Sequence, residues 1–130
     1  SAGEAGGLMH GPTFMANPLA CAVALASLEL LQRNDGHRQV AGLEAGLSAG
    51  LAPARALASV ADVRVRGGVG VRQLREPVRG REVAAYAIEH GVWVRPFRDL
   101  VYTMPPYVTS PDDLATVCRV LTDAVAAVHG

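Results

Sequence analysis

The hydrophobic period of the chain changes near residue 60. Before this point, apolar residues recur at steps of three and four, which predicts two helices, over residues 17–33 and 37–57. After it, valines alternate with polar residues, which predicts two strands, over 60–66 and 69–72, with a glycine turn between them. A chain that switches from helical to strand spacing in this way is typical of folds that combine both kinds of element.

The second half of the chain again mixes helical and strand patterns. It predicts a helix over 82–90, short strands over 92–95 and 100–104, and a last helix that begins after Ser110. Ser110 is followed by a proline and two aspartates, which favour a helix start through capping and charge. The order of elements therefore predicts an α+β fold, in which helices pack on a small and mostly antiparallel sheet.

The first predicted helix is apolar on nearly every side. From Leu19 to Ala26 no charged side chain interrupts it, and such a helix needs cover all round. This favours a face that is reserved for another domain or subunit. The apolar run is shorter than the roughly 20 residues that span a bilayer, so we expect a core helix and no membrane contact.

The two cysteines, Cys21 and Cys118, both lie in apolar helical patterns. Free cysteine behaves as a small apolar residue, so both are predicted to be buried. They provide no disulfide framework, and residues 1–7 lack the basic region and apolar core of a signal peptide. These features favour a reducing, cytoplasmic location.

Arginine is the only strongly basic residue type in the sequence. The chain has 12 arginines and no lysine, against 12 acidic residues, and this balance argues against nucleic acid as a partner. A reaction that needs a lysine amine, such as Schiff-base formation, cannot be completed by this chain alone. The four histidines and two cysteines show no metal-ligand spacing. Arg72, Arg75, Arg79 and Arg81 mark a basic segment that we expect to be solvated surface.

A stiff loop precedes the first helix, at Gly11, Pro12 and Thr13. Pro12 fixes its own φ and biases Gly11 to extended backbone, while Asn17 and Pro18 are typical of a helix start. A hydroxyl on such a loop, beside free backbone N–H groups, can hold a phosphate. The other interpretation is that the loop only turns the chain and that Thr13 bonds its own backbone.

Arg95 is the second candidate site residue. It stands at the end of a predicted strand, before a proline and between Trp93 and Phe97. A guanidinium in this position can hold a carboxylate through two parallel hydrogen bonds. It can equally form a structural ion pair with Asp99.

Three further side chains lie close to Arg95 in the sequence. Tyr102 and Tyr107 could present phenol groups to a ligand, although lone aromatics on a strand or loop more often pack. Met104 is expected to be a packing residue.

Two long motifs resemble those of the class III, pyridoxal-phosphate-dependent aminotransferases. The first, over residues 10–24, begins His-Gly-Pro-Thr-Phe-Met-Ala-Asn-Pro-Leu. The second, over 91–107, begins Gly-Val-Trp-Val-Arg-Pro-Phe and resembles the branch of this family that works in biotin synthesis. The resemblance runs over essentially the whole chain, which matches the C-terminal part of the family's length.

This resemblance implies a fold-type I aminotransferase and a cofactor contact. Residues 1–16 would be a cofactor-phosphate loop and linker from a large domain, and 17–130 the C-terminal small domain. In the family, the Gly-Pro-Thr loop reaches across a homodimer. The resemblance therefore implies that Gly11, Pro12 and Thr13 bind the phosphate of pyridoxal 5′-phosphate in the other subunit's site.

The resemblance also implies the substrates. The reaction of this branch moves an amino group from S-adenosylmethionine to 8-amino-7-oxononanoate. The arginine of the second motif binds the carboxylate of that keto acid, which assigns Arg95, and Tyr102 matches a tyrosine near it. The family's Schiff-base lysine lies just upstream of the position of His10. No catalytic residue is therefore assigned in this chain, which we expect to be inactive alone.

Two other interpretations stay open at this stage. The chain could come from another class III ω-amino-acid transaminase, for example one that acts on 4-aminobutyrate. It could also be a non-catalytic interaction module left by a truncated or split gene. Substrate competition in the complete enzyme would separate the first alternative from the biotin-branch assignment.

Overall fold

The computed structural model describes residue 11 and residues 13–130. The chain divides after Asp35 into two compact units, the first up to that residue and the second from Gly36 to Gly130.

The first unit contains a single described helix, α1 (Pro18–Arg33). The side-chain oxygen of Asn17 accepts a hydrogen bond from the backbone N–H of Ala20 at 3.0 Å, and a proline occupies the first helical position. The predicted helix is therefore confirmed, and its start is set by a local cap. No residue of α1 is buried, so the predicted burial of Cys21 is wrong. An apolar sequence favours burial, but burial itself requires atoms packed against the helix.

The second unit is built on a three-stranded antiparallel sheet in the order β1-β2-β3. Its strands are β1 (Val60–Arg66), β2 (Val69–Leu74) and β3 (Leu100–Thr103). Gly67 and Gly68 form the turn between β1 and β2, and Gly67 has a positive φ of 52° that favours glycine. The predicted hairpin and the antiparallel sheet are both confirmed.

Three helices pack around this sheet: α2 (Gly36–Leu51), α3 (Gly80–Glu89) and α4 (Pro111–His129). The helix predicted over 37–57 ends earlier as an α-helix and continues as a 3₁₀ turn over Ala52–Ala56, where a proline removes a backbone donor. Ser110 caps α4 as predicted, since its hydroxyl oxygen accepts from the N–H of Asp113 at 3.1 Å.

The core of the second unit lies where α2 covers β1 and β2 and where α4 packs on α2 and α3. Two glycines of α2 allow α4 to approach closely. A Cβ at Gly46 would lie 2.5 Å from a methyl carbon of Leu114, and one at Gly50 would lie 2.7 Å from the Cβ of Cys118. The core consists of the following buried apolar residues: Leu43, Leu47, Leu51, Ala54, Val60, Val63, Leu74, Val83, Ala87, Val92, Val94, Val101, Leu114, Cys118, Val120, Leu121, Ala124 and Val125.

The strand predicted over 92–95 is wrong. Val92 and Val94 are buried while Trp93 and Arg95 are exposed, so the alternation of side chains is present. The segment nevertheless belongs to no strand of the sheet. Alternation decides which side chains face the core, whereas a strand also needs a neighbour that shares its backbone hydrogen bonds.

The expectation that Arg72 is solvated is also wrong. It is 0% exposed and lies on β2, between the buried positions Gly70 and Leu74. Its Nη2 donates to the backbone oxygen of Cys118 at 2.8 Å and to Oγ1 of Thr122 at 3.1 Å. The alternation of side chains along β2 therefore places Arg72 in the core although its side chain is charged. The other three arginines of the basic segment are exposed, as expected.

Candidate functional site

A tight hairpin turn positions the candidate site. Phe97 and Leu100 exchange two backbone hydrogen bonds, of 2.9 and 2.8 Å, which leaves Arg98 and Asp99 as a two-residue turn. Arg98 has a positive φ of 56°, an unfavourable conformation for a residue with a Cβ. The turn is fixed to the sheet because the N–H of Leu74 donates to the backbone oxygen of Asp99 at 2.8 Å.

Beyond this turn the two arms of the hairpin enclose a cavity of about 530 Å³, which we call the hairpin cavity. Its walls are the arm 91–95, the arm 102–106, and the side chains of Thr109 and Val117. The register of Phe97 with Leu100, if continued, would place residue 95 opposite residue 102. A cavity of this volume falls within the range that binds small molecules.

Arg95 and Tyr102, two of the predicted site residues, meet in the hairpin cavity. Arg95 is exposed, because it alternates with the buried Val94, and Tyr102 is half-buried on β3. The structural ion pair of Arg95 with Asp99 does not form in the described part of the chain; Asp99 instead accepts from Nε2 of Gln73 at 2.8 Å. The guanidinium is therefore available to a ligand.

Tyr107 does not join this site. It lines a second and smaller cavity of about 380 Å³, together with Val40, Gly68 and Val69. Its neighbours there are apolar side chains and glycine backbone, and the cavity holds no arginine. The two cavities share the wall formed by Met104, Pro105 and Pro106. Of the two tyrosines near Arg95 in the sequence, only Tyr102 shares its cavity.

The predicted phosphate loop belongs to the first unit. Gly11 is exposed, and a Cβ added to it would meet no atom within 4 Å. Thr13 is exposed at the start of a turn that leads into α1, and this turn is closed by the N–H of Asn17, which donates to the backbone oxygen of Phe14 at 3.2 Å. Pro12 lies outside the described residues. An exposed hydroxyl at this position is chemically suited to donate to an anion.

Two large side chains of the hairpin cavity were not identified as site residues from the sequence. Trp93 is 76% exposed and Met104 is 65% exposed, so the expected packing role of Met104 is wrong. The alternation that exposes Arg95 also exposes Trp93, two residues earlier. This shared phase is the signal that could have placed both on the cavity side of the arm.

The buried arginine site, formed by Arg72, Cys118 and Thr122, is the main electrostatic feature of the core. Within the described residues, Nε and Nη1 of Arg72 have no hydrogen-bond partner. Burial lowers the pKa of Arg72 to about 10, because the charged form loses its hydration. Burial also raises the pKa of the Cys118 thiol, an effect that the neighbouring guanidinium partly offsets.

Neither a metal site nor a membrane-spanning helix is found in the part of the chain that the structure describes. No three histidine, cysteine or acidic side chains come together as metal ligands. None of the described helices has the length and apolar character needed to cross a bilayer.

Comparison with protein families matches residues 1–125 to the model described as aminotransferase class-III. The adenosylmethionine-8-amino-7-oxononanoate aminotransferase of Corynebacterium glutamicum is 52% identical over 92% of this chain, which corresponds to 28% of that protein. The enzyme of the same name from Mycobacterium leprae is 48% identical over 98% of this chain and 29% of its own length. The chain thus spans less than a third of the curated relatives that it matches.

Comparison with solved structures finds transaminases that share the fold of this chain. The crystal structure of adenosylmethionine-8-amino-7-oxononanoate aminotransferase from Methanocaldococcus jannaschii superposes with a TM-score of 0.81 at 26% identity, over 93% of this chain and 30% of that one. An amine transaminase from an uncultivated Pseudomonas species, in its PLP-bound form, superposes with a TM-score of 0.81 at 29% identity, over 93% and 30% of the two chains.

Proposed function

The chain belongs to the aminotransferase class-III family, and from that premise we propose that it is the C-terminal part of an enzyme of biotin biosynthesis. The complete enzyme transfers an amino group from S-adenosylmethionine to 8-amino-7-oxononanoate and yields 7,8-diaminononanoate. The names of the relatives at 52% and 48% identity support this assignment. Because the chain spans less than a third of those relatives, the activity belongs to the longer protein.

The observation that carries the proposal is the meeting of Arg95 and Tyr102 in the hairpin cavity. A carboxylate that enters this cavity reaches an exposed guanidinium that no acidic side chain of the described residues neutralises. Arginine binds carboxylates through two parallel hydrogen bonds, which fixes the orientation of the bound acid. In this role Arg95 holds the carboxylate of 8-amino-7-oxononanoate, and the Tyr102 phenol donates a further hydrogen bond at the same end.

The proposed cofactor is pyridoxal 5′-phosphate, which, when bound, serves as the electron sink for amino transfer. The exposed Thr13 hydroxyl, on the loop with Gly11 and Pro12, fits a phosphate contact. In the proposed homodimer this loop serves the site of the other subunit. Residues 1–16 would be the loop and linker from the large domain, and 17–130 the small domain.

The proposed division of labour places the reacting amine elsewhere in the complete protein. This chain has no lysine, so it supplies binding and orientation rather than the covalent attachment of the cofactor. We therefore expect the isolated 130-residue chain to show no amino transfer. Both of its cysteines are free, in keeping with a proposed cytoplasmic location.

The experiment is a kinetic comparison of Arg95→Ala with the wild-type full-length enzyme. Loss of hydrogen bonds to a charged group costs about 1.5–3 kcal/mol, so kcat/KM for 8-amino-7-oxononanoate should fall by about 10- to 150-fold. The KM for S-adenosylmethionine should stay unchanged. Arg81→Ala, which removes an exposed arginine of α3, is the matched control.

Three results would contradict the proposal. An unchanged kcat/KM in Arg95→Ala would remove the carboxylate role of that residue. Amino transfer from 4-aminobutyrate to an oxo acid, in preference to amino transfer to 8-amino-7-oxononanoate, would assign the chain to another branch of the family. Turnover by the isolated chain would overturn the division of labour.

A further inference from the structure

Two large apolar side chains, Trp93 and Met104, line the hairpin cavity without being buried. The register that pairs Phe97 with Leu100 would, if continued, set Trp93 opposite Met104. Both residues line the cavity, and both are mostly exposed. A tryptophan and a methionine left open at one cavity form an apolar surface that a ligand can cover.

The positions of Trp93 and Met104 relative to Arg95 give the hairpin cavity two chemically different ends. Trp93 precedes Arg95 by two residues on one arm, and Met104 follows Tyr102 by two residues on the other. In extended backbone two residues advance about 6.5 Å and keep their side chains on the same face. The cavity therefore has a charged end at Arg95 and Tyr102 and an apolar end at Trp93 and Met104.

The rest of the wall is mostly apolar. Pro105, Pro106 and Val117 carry no side-chain hydrogen-bonding group, while Thr103 and Thr109 each add an uncharged hydroxyl. No aspartate, glutamate or second arginine lines the cavity, so Arg95 provides its only formal side-chain charge among the described residues. Such a site suits a ligand with one anionic end and a hydrocarbon chain.

We propose that Trp93 and Met104 are specificity-determining residues, which hold the unbranched hydrocarbon chain of a carboxylate whose charged end is bound by Arg95. The proposal rests on the proposed function for the identity of the natural substrate, but not for the binding itself. It assigns the chain-length preference of the site to a pair of residues distinct from those that recognise the carboxylate.

The test measures binding rather than turnover. Saturated unbranched carboxylates, from butanoate to nonanoate, are titrated into the full-length protein by calorimetry. Each methylene that becomes buried should improve the affinity of the wild-type protein by up to about fourfold. In Trp93→Ala and in Met104→Ala this gain should fall below about twofold per methylene, because the wall that covers the chain is gone.

Three variants separate the proposal from a general disturbance of the fold. Arg95→Leu should weaken the whole series by a similar factor and retain the gain per methylene. Trp93→Phe should largely restore that gain, because an aromatic wall remains. Ile88→Ala, which removes an exposed apolar side chain of α3 outside the cavity lining, should behave as the wild-type protein does.

The outcomes are decisive for the inference and for the proposed function separately. An equal gain per methylene in the wild type and in both alanine variants overturns the inference, as does a wild type that shows no gain at all. Amino transfer is assayed independently with 8-amino-7-oxononanoate. A wild type that shows the gain but transfers no amino group to that acid would refute the proposed function and leave the apolar subsite standing.

Discussion

Two regions of the second unit each contain one arginine on an extended segment, with opposite consequences. At the buried arginine site, Arg72 points into the core and finds two oxygen acceptors but no carboxylate. At the hairpin cavity, Arg95 points away from the core and is exposed. The comparison shows that the phase of the alternation, rather than the residue type, decides on which side a side chain lies. The buried arginine costs free energy of folding, whereas the exposed one is free to bind a ligand.

The largest expected effect tests whether buried core residues contribute more to the free energy of unfolding than residues that line the hairpin cavity. Leu121 on α4 is 1% exposed, and its replacement by alanine should lower the free energy of unfolding by about 2–5 kcal/mol. Met104→Ala, on the cavity side, should change it by less than about 0.5 kcal/mol. Urea unfolding of both variants measures the difference. Equal losses would mean that the cavity wall is part of the core.

The next effect concerns the cost of the buried charge. Arg72→Met should raise the free energy of unfolding by about 1–4 kcal/mol, because a buried charge with unsatisfied donors is replaced by an apolar side chain of similar length. The oxygens that Arg72 contacts stay satisfied, since the Thr122 hydroxyl itself donates to the backbone oxygen of Cys118 at 2.8 Å. Urea unfolding provides the value, and Arg81→Met is the exposed control. A loss of stability would show that Arg72 stabilises the core.

A smaller effect is expected at the turn that joins the arms of the hairpin cavity. Arg98→Gly should stabilise the protein by about 1 kcal/mol, because the positive φ of this residue is unfavourable for any side chain with a Cβ. Arg98→Ala keeps the Cβ and should give no such gain, which makes it the matched control. Thermal unfolding compares the two variants. A gain of the same size in both would assign the effect to the lost charge.

The smallest effect is a pH dependence at the end of α4. Nε2 of His129 accepts a hydrogen bond from the backbone N–H of Arg79 at 3.1 Å, which only a neutral imidazole can do. Burial and the charge of Arg79 lower the pKa of His129, and Glu82 partly opposes this. The unfolded chain therefore binds the proton more readily, so stability is full above pH 6.5 and is lost as the pH falls through the folded-state pKa.

His129→Gln isolates this contribution. A glutamine can still accept through its amide oxygen but does not titrate, so its free energy of unfolding should be less sensitive to pH between 5 and 7 than that of the wild type. Urea unfolding at several pH values gives both curves. Parallel curves would show that this imidazole is not a source of the pH dependence.

The sequence predicted those features of the fold that depend on local signals. The caps at Asn17 and Ser110 set the starts of two helices, and the glycine turn at Gly67 set the first hairpin. Prediction from the sequence failed where the structure depends on contacts between segments that are distant in the chain. Residues 92–95 alternate as a strand does but have no partner in the sheet, and Cys21 lies on an apolar helix of which no residue is buried.

The residues of the candidate site likewise fall into those that were predicted from the sequence and those that were not. Arg95 and Tyr102 were predicted from their motif, and the hairpin brings them to one cavity because the turn fixes the phase of both arms. Met104 was predicted to pack and Trp93 was considered only as a neighbour of Arg95, although their spacing from Arg95 and Tyr102 already placed them on the same face. The proposed role of Trp93 and Met104 depends on contacts with a bound ligand, and that of Gly11, Pro12 and Thr13 depends on contacts with a cofactor phosphate.

The packing of α4 on α2 and α3 has a consequence for biosynthesis. A ribosome delivers α2, the sheet and α3 before residues 111–129 leave the exit tunnel. Until then Leu47, Val83 and their neighbours lack the helix that covers them. The nascent chain therefore presents a leucine- and valine-rich surface to chaperones for the time needed to synthesise one helix, and the close approach at Gly46 and Gly50 forms only after that delay.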